Sequence, residues 1–327
     1  MRPNDSNAVL RRDLAQVASE YDAEAARRFG FIGLQVAPIM PVTEETSSYP
    51  VMQRENFLKP STTARGADGS YPRIVGEFDT QNYTCEENGL EYPLDDKKAA
   101  RYATYFSFER HGARMLRHQI LLAQEIRIAS LILDAATFTA ADAATAWSTA
   151  ASATPIADVL DACETIESKT GMPREMFSLI CPRTDYRYFV QADDTKAQFQ
   201  STYNMSDGVI PALLQRSQIA AMLGIKEVLV AGAGYDTAGE KAAESLSQIW
   251  AAGHVMVAVL GNEGDDLEEN PSIARTMLWT EDSADNVVME SYREDKVRAT
   301  ILRARHNTDE VLTAEPDLMG QLIDTAP

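Results

Sequence analysis

Residues 46–94 constrain the fold more than any other part of the chain, because they form a long stretch with no helical periodicity. The middle piece, KPSTTARGADGSYP, is rich in glycine, proline, serine and threonine, and the flanking pieces carry aromatic residues in strand-like sequence. We therefore predict a long hairpin with a loose tip. An arm of this length buries little of its own surface, so we expect it to become ordered only against a partner.

The pattern changes sharply at residues 95–138, which contain no proline and a single glycine. Asp95 or Asp96 is a suitable N-cap for a helix that begins here. We predict one helix of unusual length, with Gly112 as the candidate break. Helical spacing places five apolar side chains on one face of it, namely Phe108, Met115, Leu122, Ile126 and Leu133.

The N-terminal part is predicted as a helix over residues 6–29, capped by Ser6 or Asn7 and stopped by Gly30. Its apolar stripe at steps of three and four residues consists of Leu10, Leu14, Val17 and Tyr21. Residues 31–45 are predicted as a short strand. The two prolines in this stretch, Pro38 and Pro41, forbid a central position in a sheet, so we expect an edge strand or a connector.

The remainder alternates between helical and strand patterns and is predicted as an α/β unit over residues 155–283, after a linker or loop at 139–154. Two long antiparallel strands follow, which turn at Arg293–Asp295. The segments that carry these predictions are PIADVLDACETIESKTG (helix), MFSLICP (strand), TDYRYFVQ (helix), PALLQRSQIAAMLGI (helix), KEVLVAG (strand), SQIWAAGHVMVAVLG (strand or strand pair) and IARTMLWT (strand).

Charge and composition exclude several classes of protein. The 327 residues carry 49 acidic and 30 basic side chains, a net charge of −19. Tight binding to nucleic acid requires a basic surface, so the chain is a poor candidate for it. The negative charge is explained either by solubility or by a surface that contacts packed nucleic acid without adhering to it. No apolar window suits a membrane span or a signal peptide, and we expect a cytoplasmic product.

The candidate chemical motifs are weak. His111, His118 and Glu125 recur every seven residues on the long helix, about 10 Å apart by helix rise, whereas metal ligands on a helix usually lie four residues apart. We therefore interpret the histidines as solvated or interface residues. The three cysteines, Cys85, Cys163 and Cys181, lack metal-binding spacing and are expected to be reduced and mostly buried.

Two glycine-containing segments also have ordinary interpretations. The Gly232-Ala-Gly234 segment lacks the third glycine and the following helix of a dinucleotide site, and is interpreted as a turn between strands. The acidic stretch 261–270 is interpreted as a solvated loop, with weak cation binding as the alternative. We predict no catalytic, cofactor-binding or metal-binding residue and no enzyme activity.

The order of these elements resembles that of the major capsid proteins of tailed bacteriophages. The resemblance is carried by APIMPVTEETSSYPVMQRENFLK, by RGADGSYPRIVGEFDTQNYTCEENGLEYPLDD, by the helix from Lys97 to Phe138, and by MFSLICPRTDYRYF, IAAMLGIKEVLVAGAGYDTA and IWAAGHVMVAVLG. It implies an α+β Hong Kong 97-type capsid fold with an N-terminal arm, an extended hairpin loop, a long spine helix, a peripheral domain and an axial α/β domain. The implied divisions are 1–45, 46–94, 95–149, 150–283 and 284–327, the last being closing strands of the peripheral domain.

The resemblance also implies a structural subunit that self-assembles as hexamers and pentamers into an icosahedral shell around phage DNA, without a cofactor. The implied partners are further copies of the chain, a separate scaffold protein, a portal protein and decoration proteins, with only weak, non-specific contact to DNA. The implied location is the virion, after assembly in the host cytoplasm. The alternatives are an encapsulin-like compartment shell and a soluble oligomeric α/β enzyme.

A neighbouring copy would explain the apolar residues of the arm and of the N-terminal segment. In this interpretation the arm contributes inter-subunit contacts through strand pairing or aromatic burial. The predicted contact residues are Tyr49, Phe57, Leu58, Tyr71 and Tyr83 in the arm, and Leu10 and Leu14 in the N-terminal helix.

Overall fold

The structure is a computed structural model that describes residues 9–14, 29–51, 63, 71, 79–103, 107–203, 215–239, 242–264, 267, 270–282 and 286–327. The α-helices of these residues are α1 (Gly33–Val36), α2 (Asp96–Tyr102), α3 (Phe108–Ile132), α4 (Pro155–Thr170), α5 (Arg183–Gln191), α6 (Asp193–Tyr203) and α7 (Arg216–Leu223).

The strands divide into two large sheets and two strand pairs. In chain order they are β1 (Val9–Leu10), β2 (Ile39–Val42), β3 (Thr46–Val51), β4 (Asp79–Thr84), β5 (Glu86–Asp95), β6 (Ala140–Asp142), β7 (Phe177–Pro182), β8 (Glu227–Ala231), β9 (Gly234–Asp236), β10 (Leu246–Gln248), β11 (His254–Val259), β12 (Ala274–Trp279), β13 (Val288–Glu294), β14 (Ala299–Leu312) and β15 (Gly320–Asp324).

The larger sheet has six strands in the described residues and is centred on β14. Strands β13 and β12 pair antiparallel with successive parts of β14, while β5 pairs antiparallel along its opposite side. The two-residue strand β1 extends the sheet beyond β13, and β2 lies parallel to β12 at the far edge. Helix α3 packs across this sheet, where Leu116 and Ile120 are buried against Leu302 and Ala304.

The second sheet has the strand order β6-β15-β11-β7-β8. Strands β7 and β8 are parallel, as are β15 and β6, and β11 pairs antiparallel with β7 and β15. All six residues of β7 are buried, because its sequence FSLICP is apolar on both faces and lies between helices. Each buried isoleucine or phenylalanine stabilises the fold by about 2 kcal/mol.

Helix α3 belongs to both cores. Its first half contacts the six-stranded sheet, and Ile128 and Ile132 of its second half lie in the core of the five-stranded sheet. Between these halves Glu125, which is 3% exposed, accepts hydrogen bonds from the backbone N–H groups of Ile32 (2.9 Å) and Gly33 (2.7 Å) and from the indole N–H of Trp250 (2.6 Å). Burial raises the pKa of Glu125, and the three donors oppose that rise.

The structure corrects the prediction for the N-terminal third of the chain. Residues 6–29 were predicted as one helix, but Val9–Leu10 pair with Ser291 and Glu290 as strand β1. Residues 12–14 are helical, and residues 15–28, with Val17 and Tyr21, lie outside the described residues. The predicted strand at 31–45 begins instead with the helical turn α1. Its edge position is confirmed, because β2, which contains Pro41, lies at the end of the sheet.

The long helix is interrupted earlier than predicted. Helix α2 ends at Tyr102, and α3 begins at Phe108 with Ser107 as its N-cap, whereas Gly112 lies buried inside α3. The predicted apolar face is also wrong at Met115, which is 47% exposed. The side chains of α3 that are buried in the two cores lie on another face of the helix. They include Ala113, Leu116, Ile120, Ile128 and Ile132.

The predictions for the rest of the chain mostly hold. Every helix and strand expected from residue 155 to 280 is present, including the Gly224 stop of α7 in the left-handed conformation. The final hairpin exists, but β13 continues to Glu294 and the turn lies at residues 295–298. Strand β5 belongs to the six-stranded sheet, and the C-terminal strand β15 joins the five-stranded sheet rather than the one formed by the other closing strands.

Gly30 and Gly232 meet at a close backbone crossing. The N–H of Gly232 donates to the carbonyl of Gly30 at 3.1 Å, and Gly30 has φ of +72°. A Cβ atom on Gly30 would lie 2.8 Å from the Cα of Gly232. The Gly232-Ala-Gly234 segment is therefore a turn between β8 and β9, as predicted, and it packs against the N-terminal segment.

We expect Gly30→Ala to lower the free energy of unfolding by about 2–4 kcal/mol, since it combines a left-handed backbone with a steric clash. Gly171→Ala is the matched control, because Gly171 also has φ of +72° and no atom lies within 4 Å of its added Cβ. The control should lose only about 1 kcal/mol in urea unfolding. Equal losses in the two variants would contradict the close crossing.

His306 lies on β14 under α3 and is 1% exposed. Neither imidazole nitrogen has a hydrogen-bond partner within the described part of the chain. Burial, together with the positive charges of Arg127 and Arg117, lowers its pKa to about 3. Of the two arginines, Arg127 is paired with Glu310 at 2.7 Å. His306 is therefore neutral at physiological pH.

This histidine should make the protein sensitive to acid. The unfolded chain takes up a proton near pH 6.5, but the folded chain does not until about pH 3, so the free energy of unfolding falls as the pH drops below about 6.5. We expect His306→Gln to flatten this dependence by up to about 1.4 kcal/mol per pH unit. The control is His254→Gln. Parallel pH profiles for wild type and His306→Gln would contradict the expectation.

Candidate assembly surfaces

The base of the predicted arm is the antiparallel pair β3–β4, which runs from Thr46↔Thr84 to Val51↔Asp79. Its inner face packs on the six-stranded sheet, where Tyr49 and Tyr83 lie 5% and 6% exposed. Their ring centroids are 6.3 Å apart, and they share a cluster with Met277 of β12 and Val311 of β14.

Polar contacts fix the same base in place. The hydroxyl of Tyr49 donates to the carbonyl of Leu312 at 2.8 Å, and the N–H of Thr84 donates to Asp309 at 2.9 Å. Burial and the nearby Asp309 carboxylate raise the pKa of Tyr49 to about 12 and that of Cys85 to about 11. The β3–β4 pair is therefore anchored to the six-stranded sheet by both apolar and polar contacts.

The N-terminal strand β1 lies at one edge of the six-stranded sheet, and β2 lies at the other. Arg11 forms ion pairs with Asp13 (2.7 Å) and Glu109 of α3 (3.0 Å). Leu14 is 3% exposed in the core under α3, whereas Leu10 is 52% exposed. Of these two predicted contact residues, Leu10 is thus the one accessible to another molecule.

The arm residues also differ from one another. We expected a neighbouring copy to cover the rings of Tyr49 and Tyr83. The same chain already buries both rings, because β3–β4 packs on β12 and β14. Tyr71 is 72% exposed, and Phe57 and Leu58 lie outside the described residues. Contact with a neighbouring copy stays a prediction for this set.

Sequence reasoning missed other exposed apolar residues. Leu246 of β10 is 79% exposed and Leu90 of β5 is 44% exposed. Leu90 lies on β5, whose strand partner among the described residues is β14. The alternation of Leu90 with Glu91 and Tyr92 was a usable signal, but the segment was assigned to the arm instead of the sheet.

The residues of α3 that were considered as metal ligands make other contacts. Glu125 is occupied by three N–H donors, and His118 packs against the rings of Phe29 (4.8 Å) and Phe31 (5.5 Å). No group of three histidine, cysteine or acidic side chains in the described residues is placed to hold a metal ion. All three cysteines are buried thiols, as predicted.

The surface of the five-stranded sheet unit carries open grooves. One, of about 560 Å³, is lined by Arg183, Arg187 and neighbouring residues of α5 together with Gln248 of β10. A second, of about 380 Å³, lies between α7 and β8 and is lined by Arg216 and Lys226. Among the helices that the structure describes, none has the length and apolar character needed to cross a bilayer.

Comparison with solved structures gives matches that span the chain. A phage-related protein from Bordetella bronchiseptica RB50 matches with a TM-score of 0.72 and 18% identity over 97% of this chain and 98% of that one. The virus-like particle from Pyrococcus furiosus gives 0.55 and 10% over 96% and 98%. The mature capsid of bacteriophage PhiM1 gives 0.51 and 11% over 89% and 86%. No protein-family model and no curated protein matches the sequence.

These matches establish the fold. The chain shares its α+β architecture with a subunit of a phage capsid and a subunit of a virus-like particle, and the predicted Hong Kong 97-type capsid fold is confirmed.

Tyr49→Ala should destabilise the dilute, unassembled chain by about 3 kcal/mol, because it removes a ring buried within one copy and its hydrogen bond to Leu312. Tyr71→Ala is the control and should change the free energy of unfolding by less than about 0.5 kcal/mol. Urea unfolding at low protein concentration measures both. If Tyr49→Ala were as neutral as Tyr71→Ala, the arm base would not be anchored as described.

Proposed function

We propose that the protein is the major capsid protein of a tailed bacteriophage, a structural subunit that assembles as hexamers and pentamers into an icosahedral shell around DNA. The observation that carries this proposal is the fold, which corresponds to a mature phage capsid over 89% of the chain. A chain with this architecture buries its cores on its own and leaves an arm and several sheet edges for contact with copies of itself.

In this proposal the two sheets belong to two different domains of the subunit. In this proposal the six-stranded sheet and α3 form the peripheral domain, and the five-stranded sheet with α4 to α7 forms the axial domain around the capsomer centre. The arm that leaves from β3–β4 extends over the adjacent copy, where Tyr71, Phe57 and Leu58 make contacts. Leu10 contributes at the N-terminal edge.

Charge supports a container for DNA that does not hold its contents tightly. With 49 acids against 30 bases, an inner wall of this chain repels phosphates, and packaged DNA stays free to be ejected. A separate scaffold, a portal and decoration proteins belong to the same proposal as partners. The site of assembly is the host cytoplasm and the final location is the virion.

An encapsulin-like compartment shell is the second candidate, since the same fold would build it. Such a shell would assemble from copies of the chain in the same way, but it would enclose a cargo enzyme and not DNA. The soluble oligomeric α/β enzyme is the remaining alternative.

Purified recombinant chain, with and without a crowding agent, tests self-assembly by sedimentation velocity and negative-stain electron microscopy. We expect capsomer rings, tubes or closed shells, because heterologous contacts between identical copies close into such forms. A compact small oligomer under every condition, with residues 46–84 resistant to protease, would contradict a shell subunit.

A further inference from the structure

The two edges of the five-stranded sheet differ in charge. Strand β8 and strand β6 occupy opposite edges, separated by four strand spacings or about 19 Å. The surface near β8 and the adjacent α5 carries exposed cations, and the surface near β6 carries acids. We call these surfaces the basic flank, consisting of Arg183, Arg187, Arg216 and Lys226, and the acidic flank, consisting of Asp142, Glu315, Asp317 and Asp324.

The basic flank is concentrated around two grooves. Arg183 and Arg187 are exposed on α5 and line the first groove, and Arg216 and Lys226 line the second. Arg216 also lies close enough to Tyr186 to oppose the rise in its pKa that burial causes. Among the described residues that line the two grooves there are four cations and one carboxylate, that of Glu227 in the second groove.

The acidic flank is built around β6. Asp142 ends this strand and is exposed, and its register partner on β15 is Asp324. The carboxylate of Asp317 accepts the N–H of Thr139 at 2.9 Å, which holds the turn containing Glu315 beside β6. The cation that reaches this flank is Lys169, whose ammonium donates to the carbonyl of Asp317 at 2.8 Å, so among these described residues four carboxylates lie with one ammonium.

Opposite charges on opposite edges fit a ring of copies. In a ring every contact is heterologous, so one surface of a copy meets a different surface of the next. Copies with a net charge of −19 repel one another unless the meeting surfaces are locally complementary. Resting on the shell function proposed above, we propose that the basic flank of each copy binds the acidic flank of the next copy within a capsomer ring.

Two charge-reversed variants test this pairing. Arg183→Glu with Arg187→Glu places acidic side chains at two of the four basic-flank positions, and Asp142→Lys with Glu315→Lys places basic side chains at two of the four acidic-flank positions. All four side chains are exposed, so both variants should fold with wild-type circular dichroism. We expect each variant alone to need about tenfold more protein to assemble, measured by sedimentation velocity at low salt.

The decisive sample is the equimolar mixture of the two variants. At the substituted positions opposite charges then meet only between unlike copies, so the two variants alternate around a ring. Rings with an even number of copies close, but a five-membered ring cannot alternate. We expect electron microscopy to show hexameric rings, tubes or sheets without closed icosahedral shells. A single chain that carries all four substitutions should recover closed shells.

Lys98→Glu on α2 is the control, because Lys98 is exposed and belongs to neither flank. Wild-type assembly by both variants alone, or a mixture no better than its components, would overturn the pairing while leaving the shell function intact. The Arg183→Glu, Arg187→Glu variant could instead assemble normally but no longer shift a DNA fragment in a gel. That result would show that the basic flank binds nucleic acid and not a neighbouring copy. Failure of the wild type to assemble would count against the proposed function itself.

Discussion

Three donors from separate parts of the chain converge on the buried carboxylate of Glu125: two backbone N–H groups just before α1 and within it, and the indole of Trp250. A carboxylate in this position is stable only because all three bonds are made, and each unmet donor would cost about 1–3 kcal/mol. Glu125 lies where α3 passes from the core of one sheet to the core of the other. The relative placement of the two sheets, and hence of the arm and both flanks, depends on this contact.

The division into two cores explains how one chain can be both rigid and adaptable. Each sheet is covered by its own helices, and α3 with the Glu125 contact joins them. The exposed parts are of another kind: the short strand β1, Leu90 on β5 and the two charged flanks. Many contacts of modest strength between such surfaces allow copies to correct their placement before a shell closes.

Much of the fold was accessible from the sequence because the signals are local. The buried strand FSLICP, the helix that stops at Gly224 and the turn at Gly232 follow from hydrophobic pattern and glycine position. The misses involve partners distant in the chain. Tyr49 is covered by Met277 and Val311, and β15 pairs with β11. Short-range periodicity in the sequence does not indicate either of these contacts. For the same reason the aromatic side chains of the arm were attributed to a neighbouring copy. The charged flanks could not be predicted, since they require the strand order.

A shell of this chain around DNA can be seen by cryo-electron microscopy of nuclease-treated particles that contain the chain. We expect an icosahedral map whose shell density is traced by this chain, with α3 and both sheets in place and double-stranded DNA inside. A shell built from another protein, or a particle of this chain filled with an enzyme and free of DNA, would contradict it.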